Sequence, residues 1–216
     1  MSRPTRACSG RRCAPPLNRR TVRRLKAMRQ SPRLRAARRD RLLVQFTRPF
    51  ESGSVNGYIL GVGPRFCLVA IVEEASRFNG FQCFRLSDVR ELQVPHKYAA
   101  FAEAVLKRRG KRIPRTPRVS LASIEALLIS ASRRFPLVTI HRERIDPDVC
   151  EIGRVLHVRN GRVSLLEINP DASWDYEPTE YRLADITRVD FGGEYEDSLH
   201  LIGGAPSNHR LEQTGT

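Results

Sequence analysis

No apolar run in this sequence is long enough to cross a bilayer. The longest, CLVAIV at residues 67–72, is a strand's length against the roughly 18 residues a spanning helix needs. Paired cysteines are missing too. Cys8, Cys13, Cys67, Cys83 and Cys150 are an odd set of five with no C-x-x-C spacing. That excludes closely spaced zinc ligand pairs and a secreted disulfide framework. Reduced thiols in a cytoplasmic protein are expected. The signatures H-E-x-x-H, G-x-S-x-G and G-x-x-x-x-G-K-[ST] are all absent. His96, His141, His157, His200 and His209 are scattered. No catalytic residue, metal ligand or cofactor site is therefore expected, and the chain reads as a non-enzyme.

Acids are scarce at one end. Residues 1–41 hold fifteen Lys and Arg against Asp40 alone, whereas residues 148–216 hold six bases and thirteen acids. The net charge of +15 is thus concentrated at the N-terminus and in the middle. Residues 1–40 have few apolar residues and no helical stripe, which predicts a disordered basic tail. Three readings of it stand open: a nucleic-acid-binding arm, an Arg-rich transit peptide, or a true start downstream, for example at Met28.

The rest of the chain carries a repeat. RLSDVREL at residues 85–92 returns as RLADITRV at 182–189. Each copy ends a series of five short strand candidates. In the first half these are LLVQFT (42–47), VNGYILG (55–61), FCLVAIV (66–72), FQCFRL (81–86) and VRELQV (89–94). In the second they are LVTIHR (137–142), CEIGRVLHVR (150–159), RVSLLEI (162–168), TEYRLA (179–184) and ITRVDF (186–191). Asn160-Gly161 predicts a tight hairpin. Gly57 matches Gly153, where a missing side chain permits the bend a small barrel requires. Phe66, Leu68 and Ile71 match Val163, Leu165 and Ile168 at the octet's own spacing, and Tyr98 matches Tyr195. This order points to duplication. In each octet the aspartate, Asp88 or Asp185, is read as a structural cap accepting backbone N–H groups in a tight turn.

Helices are expected after each barrel. KYAAFAEAVLKRRG places Tyr98, Phe101, Ala102, Val105 and Leu106 on one face; EYEDSLHLIGG aligns Tyr195, Leu199 and Ile202. A third helix over residues 121–134, capped by Ser120, leads into the second barrel. The fold expected is mainly β with accessory helices: two tandem five-stranded SH3-like or Sm-like barrels, each followed by a helix. The boundaries are a tail at 1–40, a first barrel and helix at 41–109, and a basic linker at 110–118. A helix, second barrel and short helix fill 119–203, and a disordered tail 204–216.

Two segments are candidates for binding. KRRGKRIPRTPR, residues 107–118, offers Lys107, Arg108, Arg109, Lys111, Arg112, Arg115 and Arg118 for phosphate contacts. The loop NPDASWDYEP, residues 169–178, offers Trp174, Asp175 and Tyr176 as a peptide-recognition surface. The alternative role for Trp174 is to seal the barrel mouth.

The stretches RDRLLVQFTRPFESGSVNGYILGVGPRF, FNGFQCFRLSDVRELQVPH and SWDYEPTEYRLADITRVDFGGEYEDSL resemble segments of an uncharacterised bacterial protein family with two tandem Sm-like or SH3-like units. The likeness spans about residues 39–203. It implies a fold and no reaction. The octets lack the Gly and Asn chemistry of the Sm RNA-contacting motif. The leading expectation is a binding or adaptor protein for protein or peptide partners. The alternative is association with RNA or DNA through the basic tail and residues 107–118. No membrane partner is expected.

Overall fold

The computed structural model describes residues 30–73 and 76–206. A helix, α1, occupies residues 30–39. Five strands follow: β1 (Leu43–Thr47), β2 (Ser54–Val62), β3 (Phe66–Val72), β4 (Phe78–Arg85) and β5 (Arg90–Gln93). Helices α2 (Ala99–Arg108) and α3 (Ile124–Ser132) come next. The second half runs β6 (Val138–His141), β7 (Cys150–Arg159), β8 (Arg162–Glu167), β9 (Thr179–Arg182) and β10 (Arg188–Phe191), and closes with α4 (Glu194–Gly203). The chain is mainly β with accessory helices, as its short alternating runs predict.

Two separate closed barrels are not what these strands form. All ten join one antiparallel sheet in the order β5-β1-β2-β3-β4-β10-β6-β7-β8-β9, and it does not close on itself. Each half keeps the same internal order, fifth strand beside first. The fourth strand of the first half does not meet its own fifth strand. It pairs instead with the fifth strand of the second half, Phe84 opposite Arg188 and Phe81 opposite Phe191. Backbone ladders of this kind use no particular side chain, so the sequence carries no mark of them.

The duplication is written into the sheet's irregularities. Gly57 lies opposite Ile71 and Gly153 opposite Glu167. A Cβ on Gly57 would sit 2.4 Å from the Ala70 carbonyl oxygen, and one on Gly153 would sit 2.2 Å from that of Leu166. Only glycine lets the second strand bend so closely over the third. Three residues on, both ladders slip: between Ile59 and Gly61 in the first half, and between Val155 and His157 in the second. The bulged residues, Leu60 and Leu156, are again equivalent.

This register corrects one match drawn from sequence. Cys67 pairs with Phe84 as Val163 pairs with Tyr181, so the third strands align as Cys67 with Val163 and Val69 with Leu165. Phe66, Leu68 and Ile71 are one residue out of step with Val163, Leu165 and Ile168. In a strand that slip exchanges the two faces. Both faces of β3 are largely buried, so hydrophobicity alone does not reveal it.

The N-terminal boundary also moves. Residues 30–39, expected within a disordered tail, form α1, and Leu34 and Ala37 are fully buried with Val44, Phe46, Ile59, Val69, Phe84 and Leu92. Burying one such leucine is worth about 2 kcal/mol. Arg33 Nη2 donates to the Leu92 carbonyl at 2.9 Å. The same pattern recurs at α3, whose Leu128 and Ala131 are fully buried one repeat later. Each half is thus a helix followed by five strands and a further helix. Residues 1–29 and 207–216, the greater part of both expected tails, lie outside the described residues. Residues 204–206 are described, and Pro206 is buried.

Helix α3 is shorter than expected and starts at a different cap. Ser123, not Ser120, accepts the Ala126 N–H at 3.0 Å. Leu127, Leu128 and Ala131 wedge between the halves, against Phe66, Leu68 and Cys83 on one side and Val163, Leu165 and Ile186 on the other. Leu121 lies outside the helix and presses on Gly61 and Gly63, where a Cβ would meet it at 2.7 Å or closer. That approach accounts for the glycines of GVGPRF. The outer helices bury less than their sequence faces promise. In α2 only Ala99 and Leu106 are buried, with Tyr98 and Phe101 exposed; in α4 only Leu199 is buried, with Tyr195 and Ile202 exposed. Among the described residues no helix is long and apolar enough to cross a membrane.

Candidate nucleic-acid interface

Residues 109–118 have no regular structure, yet they are not a free linker. Ile113 packs against both the central cluster and the Leu43, Tyr58, Val72 and Leu106 cluster. Gly110, at φ 65°, turns the chain out of α2. Lys111 N–H donates to the Leu106 carbonyl at 2.9 Å. Held this way, the segment lies along a groove of about 920 Å³ floored by Tyr58, Ile59, Leu60 and Phe78.

The groove is strongly basic. Lys107, Lys111, Arg112 and Arg115 line it from one side, and Arg38 and Arg41, at the end of α1, line it from another. All six are exposed. None has a carboxylate within ion-pair distance among the described residues, in contrast to Arg39 beside Asp40. The single acid in the lining, Glu103, is taken up by the Tyr58 hydroxyl, which donates to it at 3.4 Å. Burial, with Glu103 beside it, pushes the Tyr58 hydroxyl up to about 12. Six cations against one carboxylate leave the groove strongly positive, and a polyanion laid along it relieves their mutual repulsion.

Of the seven bases picked from sequence, Lys107, Lys111, Arg112 and Arg115 meet in this groove. Arg108, Arg109 and Arg118 do not line it; Arg109 Nη1 donates to the Ser76 carbonyl at 3.3 Å. Sequence alone does not single out Arg38 and Arg41, because they stand at the end of a long run of bases over residues 1–41. The signal that finds them is the repeat itself: LRAARRDRLLV (34–44) aligns with LISASRRFPLV (128–138), which marks 34–39 as helix.

The peptide surface fares differently. Trp174 is 9% exposed and packs with Leu137, Leu166, Ile168 and Leu199. Its Nε1 donates to the Gly203 carbonyl at 3.1 Å. It therefore packs into the outer core of the second half and leaves only a small part of its ring accessible. Tyr176 is 84% exposed, and Asp175 accepts from Asn169 Nδ2 at 2.9 Å.

The two octet aspartates do not share a role. Asp88 is buried and accepts from Arg144 Nη2 at 2.6 Å and from Ser87 Oγ at 3.1 Å. It joins the two halves by an ion pair; it does not cap its turn through backbone N–H groups. Asp185 is half-buried, with its own N–H donating to the Arg182 carbonyl at 3.0 Å. The turn beside it is held by Arg85, whose Nε donates to the Ile186 carbonyl at 2.7 Å.

Around these contacts lies a buried polar seam between the halves. Arg48, with no side-chain exposure, bridges Glu51 and Glu143 and stacks 4.7 Å over the Phe84 ring. Arg188 reaches Glu51 at 2.7 Å, Asp190 at 3.1 Å and His141 Nε2 at 2.9 Å. Burial pushes the Glu143 carboxyl up, but hydrogen bonds and the nearby Arg48 charge outweigh it and hold that carboxyl below the usual range. Every carboxylate here faces a guanidinium, so the seam has the chemistry of a joint. Among the described residues no three His, Cys, Asp or Glu side chains are placed to hold a metal. Burial raises the Cys67 thiol to about 12 and Cys83 well above its ordinary value, which leaves both unreactive.

No protein-family model, curated protein or solved structure matches this chain.

Proposed function

We propose that this protein is a non-catalytic binding protein that holds single-stranded RNA or DNA by its phosphate backbone. The groove formed by Arg38, Arg41, Lys107, Lys111, Arg112 and Arg115 is the observation that carries this reading. Its cations belong to separate segments, α1 and the chain after α2, and packing fixes both segments. Pre-positioned cations lose less conformational freedom on binding than a disordered tail does. Among the described residues no separate helix or β-ribbon is placed to carry these cations into a duplex major groove, which favours a single strand. The contacts available are to phosphate, so little sequence preference is expected. The resemblance to tandem Sm-like units read from sequence adds no ligand to this reading. The peptide-adaptor reading loses its anchor with Trp174 buried.

The test compares the full chain, a chain beginning at residue 30, and Lys111→Glu/Arg112→Glu in each. Binding of a labelled single strand is followed by fluorescence anisotropy. The cut must precede residue 30, because removing α1 also removes Leu34 and Ala37 from the core. If the groove is the site, the shortened chain still binds and the double variant loses at least tenfold in affinity. Binding that disappears with residues 1–29 and ignores the double variant sinks the reading.

A further inference from the structure

The repeat places a second basic cavity where the first half has its groove. The first groove lies between the end of α1, strand β2 and helix α2. At the matching place in the second half, the end of α3, strand β7 and helix α4 enclose a pocket of about 280 Å³. Arg133 and Arg134 enter it from α3, Arg154 from β7 and His200 from α4. By the spacing of the repeat His200 stands where Glu103 stands, and Arg154 where Tyr58 stands. The one acid and phenol of the first groove are thus replaced by an imidazole and a guanidinium.

Among the described residues no carboxylate lines this pocket. Arg133, Arg134 and Arg154 are exposed and lie in no ion pair among the described residues. His200 Nδ1 is buried without a hydrogen-bond partner among the described residues. This charge stands out because the second half is acidic elsewhere: seven acids fall between residues 167 and 190 against two bases. Three guanidiniums without carboxylate partners among the described residues, around one pocket, suit an oxyanion such as a phosphate group.

We infer that this pocket is a second phosphate site, holding one phosphate group of the same strand that lies in the first groove. The inference rests on the nucleic-acid reading. The five-strand offset in an antiparallel sheet turns the second half over relative to the first, so a strand engaging both sites must pass from one face of the sheet to the other, and affinity should depend on strand length.

Trp174 forms part of the pocket wall and is the only tryptophan in the chain, so its emission reports on this pocket alone. The full chain is titrated with labelled single strands of increasing length, reading anisotropy and Trp174 emission together, and separately with inorganic phosphate. The expected result is a saturable change in Trp174 emission with long strands, at the midpoint given by anisotropy. In Arg133→Ala/Arg154→Ala that change is lost and long strands bind about tenfold more weakly, while short strands bind as before. Both residues are exposed, and an unchanged melting temperature checks that the variant folds. Lys111→Glu/Arg112→Glu separates the two readings: if strands no longer bind but inorganic phosphate still shifts Trp174, the first groove is the strand's main seat and the pocket remains an anion site. A Trp174 response to inorganic phosphate but to no strand that binds would overturn the inference, leaving a site for a free anion. So would Trp174 emission that ignores both, or wild-type affinity of Arg133→Ala/Arg154→Ala for long strands.

Discussion

Around Gly57 and around Gly153 the backbone does the same thing: a bend that only glycine allows, then a bulge three residues on. Around Arg48 and Arg142, one repeat apart, the backbone is equivalent and the chemistry is not. Arg48 has no side-chain exposure and bridges Glu51 and Glu143 across the joint between halves. Arg142 is 27% exposed and pairs with Glu151 inside its own half. The octet aspartates diverge likewise, Asp88 into the joint and Asp185 toward the surface. A repeat therefore preserves what the backbone demands, while side chains at the joint are free to differ because each half meets a different neighbour there.

The largest test of that contrast is Arg48→Met against Arg142→Met. Removing Arg48 takes the close guanidinium partner from the buried Glu143 and leaves only Arg188 at 3.7 Å, which should cost about 3–5 kcal/mol. Removing Arg142 should cost less, about 2 kcal/mol, because its side chain is 27% exposed where that of Arg48 is wholly buried, so water can enter beside the buried Glu151 when it goes. Urea unfolding measures both, and equal costs would erase the distinction.

The shared backbone role predicts the opposite outcome at the helices. Leu34→Ala and Leu128→Ala should each cost about 3 kcal/mol, since both are fully buried at equivalent places. A near-zero cost at Leu34 would return residues 30–39 to the tail.

A smaller effect appears with acid. The Glu143 carboxyl is held below its ordinary value of 4.5 in the folded state. Its stabilising contribution is complete above that value and is lost as pH falls through the lower, folded one. Glu143→Gln should therefore lose less stability between pH 5 and about pH 3 than the parent chain does, as followed by thermal melting. The smallest expected effect is at Tyr176, which is 84% exposed. Tyr176→Ala should change stability by less than about 0.5 kcal/mol, whereas Trp174→Ala should cost about 3–4 kcal/mol.

The strands, the Asn160-Gly161 turn and the duplication were legible in sequence because each leaves a local trace. Asn160 and Gly161 take φ of 51° and 72°, as a two-residue hairpin asks. The octet was legible as a repeat but not as chemistry, since Asp88 finds Arg144 from the other half. The junction of β4 with β10 left no trace, because main-chain hydrogen bonds accept many side chains. Helix α1 was hidden by arginines. Five of the twelve residues 30–41 are basic, and only Leu34 and Ala37 are fully buried. Four groove bases were visible as a charge run, and their meeting with Arg38 and Arg41 required the fold.

The account stands most directly on the salt dependence of single-strand binding. A chain beginning at residue 30 should show log affinity falling linearly with log salt concentration, with a slope near −0.7 for each phosphate neutralised. Replacing Arg38, Arg41, Lys111 and Arg112 by alanine should shallow that slope by about 3 and weaken binding for all sequences alike. An unchanged slope in that variant would contradict the claim that this groove holds the strand.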